Sequence, residues 1–203
     1  MPGEPLTLEF FARSVHAVAR ELIGCTLQFQ GRGGVIVETE SYEEADPACH
    51  AHVGRTRRTE GLFGPPGYAY VYLSYGIHSL LNVVCEPEGA AAAVLIRALE
   101  PTAGVEAMRR RRGGKPDADL CSGPGKLTDA LGVGLGLDGA DVSLPPFEIR
   151  AAVDAWSDVE VVTGPRIGIT KAVEYPWRFS AAGNRFVSRP RPVVLADDSR
   201  AAA

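Results

Sequence analysis

Glu38, Glu40 and Tyr42 recur at a spacing of two in the apolar stretch from Val35 to Tyr42. If that stretch is a strand, its period of two puts all three side chains on one face. A carboxylate on a core element must be solvated, paired or used, because burying it unpaired is costly. Two readings follow: an edge strand with a wet face, which composition alone favours, or a carboxylate doing general acid–base work.

Tyr68, Tyr70, Tyr72 and Tyr75 form a dense aromatic run. The first three share a strand face, and Tyr75 beside Gly76 falls at a hairpin tip. Aromatic rings stack on nucleobases, and side chains wedged between base steps unstack a duplex. The plainer alternative is a sheet core with one surface tyrosine. Cys49-His50-Ala51-His52 offers metal-ligating types. Only His16 and His78 add further histidines, no Cys-x-x-Cys pair occurs, and a zinc site needs three or four ligands, so no metal is expected. Cys121 to Leu127 (CSGPGKL) superficially suggests a phosphate loop. It lacks the first glycine and the terminal Ser or Thr, leaving either a tight turn or a glycine-rich bend whose N–H groups meet a phosphate. Arg109 to Arg112 is a run of four arginines, either a solvated face or a contact to phosphates.

The elements that must position these residues are short. Residues 7–23 read as one amphipathic helix, with Phe11, Val15, Val18 and Leu22 on its apolar face and Gly24 as its stop. Thr26 to Gln30 and Val35 to Tyr42 read as strands of a hairpin turning at Gly31 to Gly34. Residues 43–66 carry no periodicity and read as a long polar loop of the kind that carries function. Tyr68 to Ser74, Leu80 to Cys85 and Val94 to Leu99 are strands. Thr102 to Arg112 is a helix followed by a Gly-Gly-Lys-Pro loop, and Leu127 to Leu131 is a short helical segment after a Gly-Pro-Gly bend. From about residue 197 the chain reads as a frayed tail. These elements predict a single mixed α+β domain spanning residues 1–203.

The chain of 203 residues is 45% hydrophobic and 23% charged, the composition of a soluble globular protein rather than a disordered or fibrous one. Its 23 glycines and 15 prolines imply many loops. No apolar run is long enough for a membrane helix. Met1-Pro2-Gly3-Glu4 lacks the basic start of a signal peptide, so a cytoplasmic location is expected. The four scattered cysteines read as free thiols. Net charge is −4. From Val53 to Lys126, however, ten basic residues face seven acidic ones, so a basic middle lies between acidic ends.

Six blocks in order carry a resemblance: Val37-Glu-Thr-Glu-Ser-Tyr42, Ala48-Cys-His-Ala51, Tyr70-Val-Tyr-Leu-Ser-Tyr-Gly76, Leu81-Asn82, Leu95-Ile-Arg-Ala-Leu-Glu-Pro101 and Leu120-Cys-Ser-Gly-Pro-Gly-Lys-Leu127. Together the sequence resembles the alkyladenine (3-methyladenine) DNA glycosylase family, in particular its bacterial members. The resemblance runs from the first helix to about residue 190. It implies an α+β fold with a curved antiparallel sheet, surrounding helices and a protruding β-hairpin. It also implies excision of alkylated or deaminated purines from double-stranded DNA by a cytoplasmic monomer with no metal or other cofactor and no membrane partner.

By the same resemblance, Glu40 matches the carboxylate that activates a water, and Arg97 a residue that positions it. An arginine there also favours an ionised Glu40. Tyr42, His50 and Tyr72 match the lining of a pocket for the flipped base, an aromatic cage suited to a cationic purine. Asn82 matches the residue that opposes the exocyclic amino group of guanine, and Ile169 one whose backbone carbonyl holds the water. Tyr75 matches the wedge that fills the gap in the duplex. Arg55, Arg57, Gly76, His78 and Lys126 are candidate contacts to the DNA backbone. Only three lysines occur, Lys115, Lys126 and Lys171, and none matches a catalytic position. A monofunctional N-glycosyl hydrolase that leaves an abasic site is therefore expected. The rivals are a non-catalytic damaged-DNA binding module of the same fold, and a hydrolase using the Glu38/Glu40 pair on a sugar, for which a Tyr75 wedge is superfluous.

Overall fold

The computed structural model describes residues 3–153 and 155–191; the expected tail lies outside them. One antiparallel sheet carries the fold. Its strands are β1 (Thr26–Phe29), β2 (Arg32–Glu43), β3 (Ala69–Ser74), β4 (His78–Val84), β5 (Ala92–Ala103), β6 (Phe147–Arg150), β7 (Val161–Gly164) and β8 (Arg178–Ala181). The order is β3-β4-β5-β2-β1-β6, and β8 pairs with both β2 and β7. This curled sheet with a few short helices is the α+β architecture expected.

β2 is the axis of the sheet. β5 runs along one side of it, while the other side pairs first with β1 (residues 32–35) and then with β8 (residues 38–40). The strand bearing Glu38 and Glu40 is therefore central, and the wet edge strand is excluded.

Residues 7–23 form two helices, α1 (Leu8–Phe11) and α2 (Val15–Glu21), instead of the single one expected. Phe11, Val15, Val18 and Leu22 are all buried, as their spacing requires. The break between them is held from elsewhere in the chain. Glu86 donates its N–H to the Phe11 carbonyl at 2.9 Å, and its carboxylate accepts the Val15 N–H at 3.1 Å. A distant residue thus satisfies the polar groups that the break exposes.

The first hairpin turns at Gln30-Gly31, earlier than expected, and Gly33 and Gly34 lie inside β2. A Cβ on Gly33 would stand 2.1 Å from the Leu27 carbonyl oxygen, and one on Gly34 1.9 Å from that of Glu100. These glycines permit close strand approach rather than a turn. β5 continues to Ala103, so the following helix α3 is only Val105–Arg111; α4 (Asp117–Leu120) and α5 (Pro124–Leu131) complete the layer. Pro124 opens α5 at its first position, where the missing N–H costs nothing.

The main core packs α2, α3 and α5 against one face of the sheet around Phe11, Ile36, Ile96, Leu99 and Leu127. A second, smaller core of Cys49, Ala51, Leu62, Phe63, Tyr70, Val84 and Ala93 supports Tyr42 and Tyr72. The long polar segment 43–66 contributes to it through two single-turn helices, His50–Val53 and Glu60–Phe63. All four cysteines are free and buried.

Candidate active site

Two bulges build the site. In the β2–β5 ladder Ile36 faces Leu99, Glu38 faces Ala98, and Thr39 faces Ile96. Val37 is thus an extra residue on β2, and Arg97 an extra residue on β5. Ile36 and Val37 both enter the main core, as do Ala98 and Leu99. Beyond each bulge the alternation is inverted. Glu38, Glu40 and Tyr42 leave the face that Ile36 occupies, and Arg97 and Leu95 leave that of Leu99. A bulge re-aims side chains in this way beside many active sites. Here two bulges cancel in register and bring one arginine and two carboxylates together.

Glu40 is fully buried. Its Oε2 accepts the Tyr42 hydroxyl at 2.7 Å, its Oε1 accepts the Ile167 N–H at 2.8 Å, and Arg97 Nη1 lies 3.3 Å from Oε1. Burial raises the Glu40 pKa above the ordinary carboxylate range, against the opposing pull of Arg97 and the two hydrogen bonds. Arg97 therefore favours the charged form, as expected, but desolvation outweighs it. Arg97 also lies 3.4 Å from Glu38 through Nε, and no described residue accepts from that nitrogen in hydrogen-bond geometry.

Above this cluster opens a cavity of about 1010 Å³. Tyr42, His50, Tyr72, Asn82, Arg97 and Ile169 all line it, so the structure gathers every expected pocket residue. Glu40 does not itself line the cavity, whereas Tyr42, Arg97 and Ile167, which hold it, do. The His50 and Tyr72 rings meet edge-on at 4.5 Å, and His50 Nδ1 is 3.1 Å from the Tyr70 hydroxyl. Burial and the nearby Arg58 charge lower the His50 pKa, favouring a neutral ring. Burial pushes Tyr70 and Tyr72 up to about 12, so both keep their protons. The buried Asn82 spends its amide N–H on the Tyr70 carbonyl at 3.0 Å.

Tyr75 stands at the tip between β3 and β4 and is 87% exposed. Tyr75 and Gly76 both have positive φ, 51° and 74°, and Ile77 N–H closes the turn on the Ser74 carbonyl. That tight turn suits the twist of a hairpin, but the first position strains a non-glycine residue. Thr128 on α5 bonds the Ser79 carbonyl at 2.6 Å and fixes the hairpin from below. His78 and Lys126 line the cavity beside Tyr75, and Lys126 also contacts Ser122 and Asp119. Arg55, Arg57 and Gly76 are exposed and lie off the cavity lining; Arg55 is paired with Glu60 at 2.6 Å.

Several site residues carry no local sequence signal. Ile167 supplies a backbone donor to Glu40, which no side-chain pattern reveals. Arg166 is buried with both terminal nitrogens donating to Asp46, and its guanidinium lies 4.6 Å from the Tyr42 ring centre. Arg58 and Lys171 join the cavity rim. Three of the four side chains in the Arg109–Arg112 run are engaged. Arg109 pairs with Glu106 and Asp117, Arg112 with Asp129, and Arg111 bonds the Asp129 carbonyl. His50 and His52 bond Tyr70 and the Glu44 carbonyl, and no group of three potential metal-ligating side chains occurs among the described residues.

The sequence profile of the methylpurine-DNA glycosylase family matches residues 9–185. Close relatives are provisionally named 3-methyladenine DNA glycosylases. One from Rhodopseudomonas palustris (strain HaA2) is 60% identical over 188 residues, covering 93% of this chain and 92% of its own. One from Bradyrhizobium diazoefficiens is 55% identical over 94% of both chains. One from Nitrosospira multiformis is 53% identical over 91% of this chain and 93% of its own.

Proposed function

The chain belongs to the methylpurine-DNA glycosylase family, and on that premise we propose that it is a DNA-repair enzyme that hydrolyses the N-glycosidic bond of alkylated or deaminated purines in duplex DNA. The observation that carries this reading is the buried Glu40 carboxylate, fixed by Tyr42 and Ile167 beside Arg97 at an aromatic cavity.

The target base must leave the stack before its glycosidic bond can be reached. Tyr75 fills the gap, and its rigid two-residue turn keeps the ring from folding away. The extruded purine lies among Tyr42, His50 and Tyr72. With His50 neutral, the cage rings themselves carry no positive charge, and they attract a cationic base. Asn82 faces the purine edge and disfavours the exocyclic amino group of guanine.

A water then attacks C1′ of the sugar. Glu40 accepts its proton, the glycosidic electron pair leaves with the base, and a sugar hydroxyl remains at an abasic site. Glu40 also opposes the positive charge that grows on the sugar. Arg97, with donors to spare, orients the water, and the backbone near Ile169 helps hold it. The protein acts as a monomer and leaves the strand intact, since no lysine matches the amine nucleophile that a lyase needs.

The test is excision from a duplex holding one hypoxanthine and from alkylated DNA, with wild type and Glu40→Gln side by side. Strand breaks should appear only after hot alkali. Glu40→Gln should bind the duplex but excise about 10²–10⁴-fold more slowly. Retained excision in the variant removes Glu40 as the base. Breaks without alkali reveal a lyase. Binding without excision by the wild type leaves a damage-binding module.

A further inference from the structure

A second carboxylate, Glu38, sits two residues from Glu40 on the same face of a central strand, also fully buried. Packing gives no reason for it there, and an unpaired buried carboxylate is costly. Three hydrogen bonds and one further ion-pair contact surround it. Ser188 contributes its N–H and its hydroxyl, each at 3.0 Å, Arg178 Nη1 lies at 3.3 Å, and Arg97 Nε at 3.4 Å. Arg97 is thereby shared between two carboxylates at nearly equal distance, 3.3 Å to Glu40 and 3.4 Å to Glu38. Its third nitrogen, Nη2, reaches Ser188 Oγ at 3.4 Å.

We infer that Glu38 is a positioning residue for excision, holding Arg97 back from Glu40 so that the guanidinium stays aimed at the cavity with donors unspent. Without Glu38, the nearest anion for Arg97 is Glu40 alone. The two would close into a full ion pair, which would use the donors meant for the water and make Glu40 a weaker base. Arg178, anchored to the Pro190 carbonyl at 2.9 Å, fixes Glu38 from the far side. The charged and titratable groups facing Glu40 are Glu38 and Tyr42 from β2, Arg97 from β5, Arg178 from the facing β8 register, Arg166 from the segment before Ile167, and Tyr72 from β3. Of these, Glu38 is the one carboxylate besides Glu40, and removing its charge leaves the residues bonded to Glu40 in place. Its charge raises the Glu40 pKa, so its loss moves Glu40 downward.

This inference rests on Glu40 being the base, so the experiment includes Glu40→Gln. Single-turnover excision of hypoxanthine is followed against pH with enzyme in excess, together with duplex affinity, for wild type, Glu38→Gln, Glu38→Asp and Glu40→Gln. Glu38→Gln should slow excision at pH 7 by about tenfold or more, with affinity changed less than about threefold. Its acid limb should move to lower pH by about half a unit or more. Glu38→Asp keeps the charge and should recover most of the rate and of the limb. A wild-type profile in Glu38→Gln overturns the inference, and so does a slower rate with an unmoved limb, which marks a purely structural role. Should Glu38→Gln not fold, Glu38→Asp decides. It keeps the charge, so a rate and an acid limb close to wild type are expected, and a rate about tenfold lower with an unmoved limb overturns the inference. Full excision by Glu40→Gln defeats the underlying reading instead, whatever Glu38 does.

Discussion

At the scale of single residues, burial shapes the proposed base. Glu40 has a raised pKa because desolvation exceeds the stabilisation from Arg97, Ile167 and Tyr42. A general base works only when ionised, so excision should fall as pH drops through a value above the ordinary 4.5 of a glutamate. A pH–rate profile checks this, and an acid limb at or below that value contradicts it. The role proposed for Asn82 concerns a different property. It is buried, and its N–H is already bound to Tyr70. Asn82→Ser should remove bulk and a polar edge, raising excision of guanine-type lesions relative to adenine-type ones by about tenfold, on the scale of one lost polar contact. Competition between 7-methylguanine and 3-methyladenine release measures it, and an unchanged ratio rejects the gate.

At the scale of elements, the hairpin and the bulges matter most. Tyr75 holds a left-handed backbone conformation and buries almost none of its ring. Strain without packing gain points to a functional wedge. Tyr75→Ala should therefore leave folding stability within about 0.5 kcal/mol of wild type. It should nevertheless slow excision by about tenfold or more, since base–aromatic stacking is worth about 1–3 kcal/mol. Thermal melting and single-turnover kinetics on one preparation separate the two effects, and equal loss in both would assign Tyr75 to the fold. The hairpin itself was legible in the sequence, because a strand period meets Tyr75-Gly76 and then resumes. The bulges at Val37 and Arg97 were not, since an extra residue is defined only against a partner strand.

At the scale of the whole molecule, a protein of net charge −4 is expected to meet a polyanion. Local pairing resolves this. Arg55, Arg109 and Arg112 are neutralised by Glu60, by Glu106 and Asp117, and by Asp129. The cavity lining also carries Arg58 and Lys171, neither in an ion pair among the described residues. Affinity for duplex should fall steeply with salt, and Lys171→Ala should lower the slope of log K against log salt by about one, the contribution of one phosphate contact. An unchanged slope places Lys171 off the DNA path. No helix among the described residues is long and apolar enough to cross a membrane.

Short stretches of the amino-acid order were enough to read the Glu-x-Glu-x-Tyr strand, the tyrosine run, the hairpin tip, and six ordered blocks specific enough to indicate the family. Side-chain alternation and turn chemistry are set by neighbours a few residues apart, so they can be read without a fold. Tertiary structure alone decided the rest. It broke the first helix through Glu86, 71 residues from Val15. It turned Glu38, Glu40 and Arg97 onto one face through two compensating bulges. It closed Glu38 with Ser188, 150 residues away, and Glu40 with the backbone of Ile167, 127 residues away. Burial and ion pairing depend on which groups share a volume, and in this chain those groups come from segments far apart in sequence.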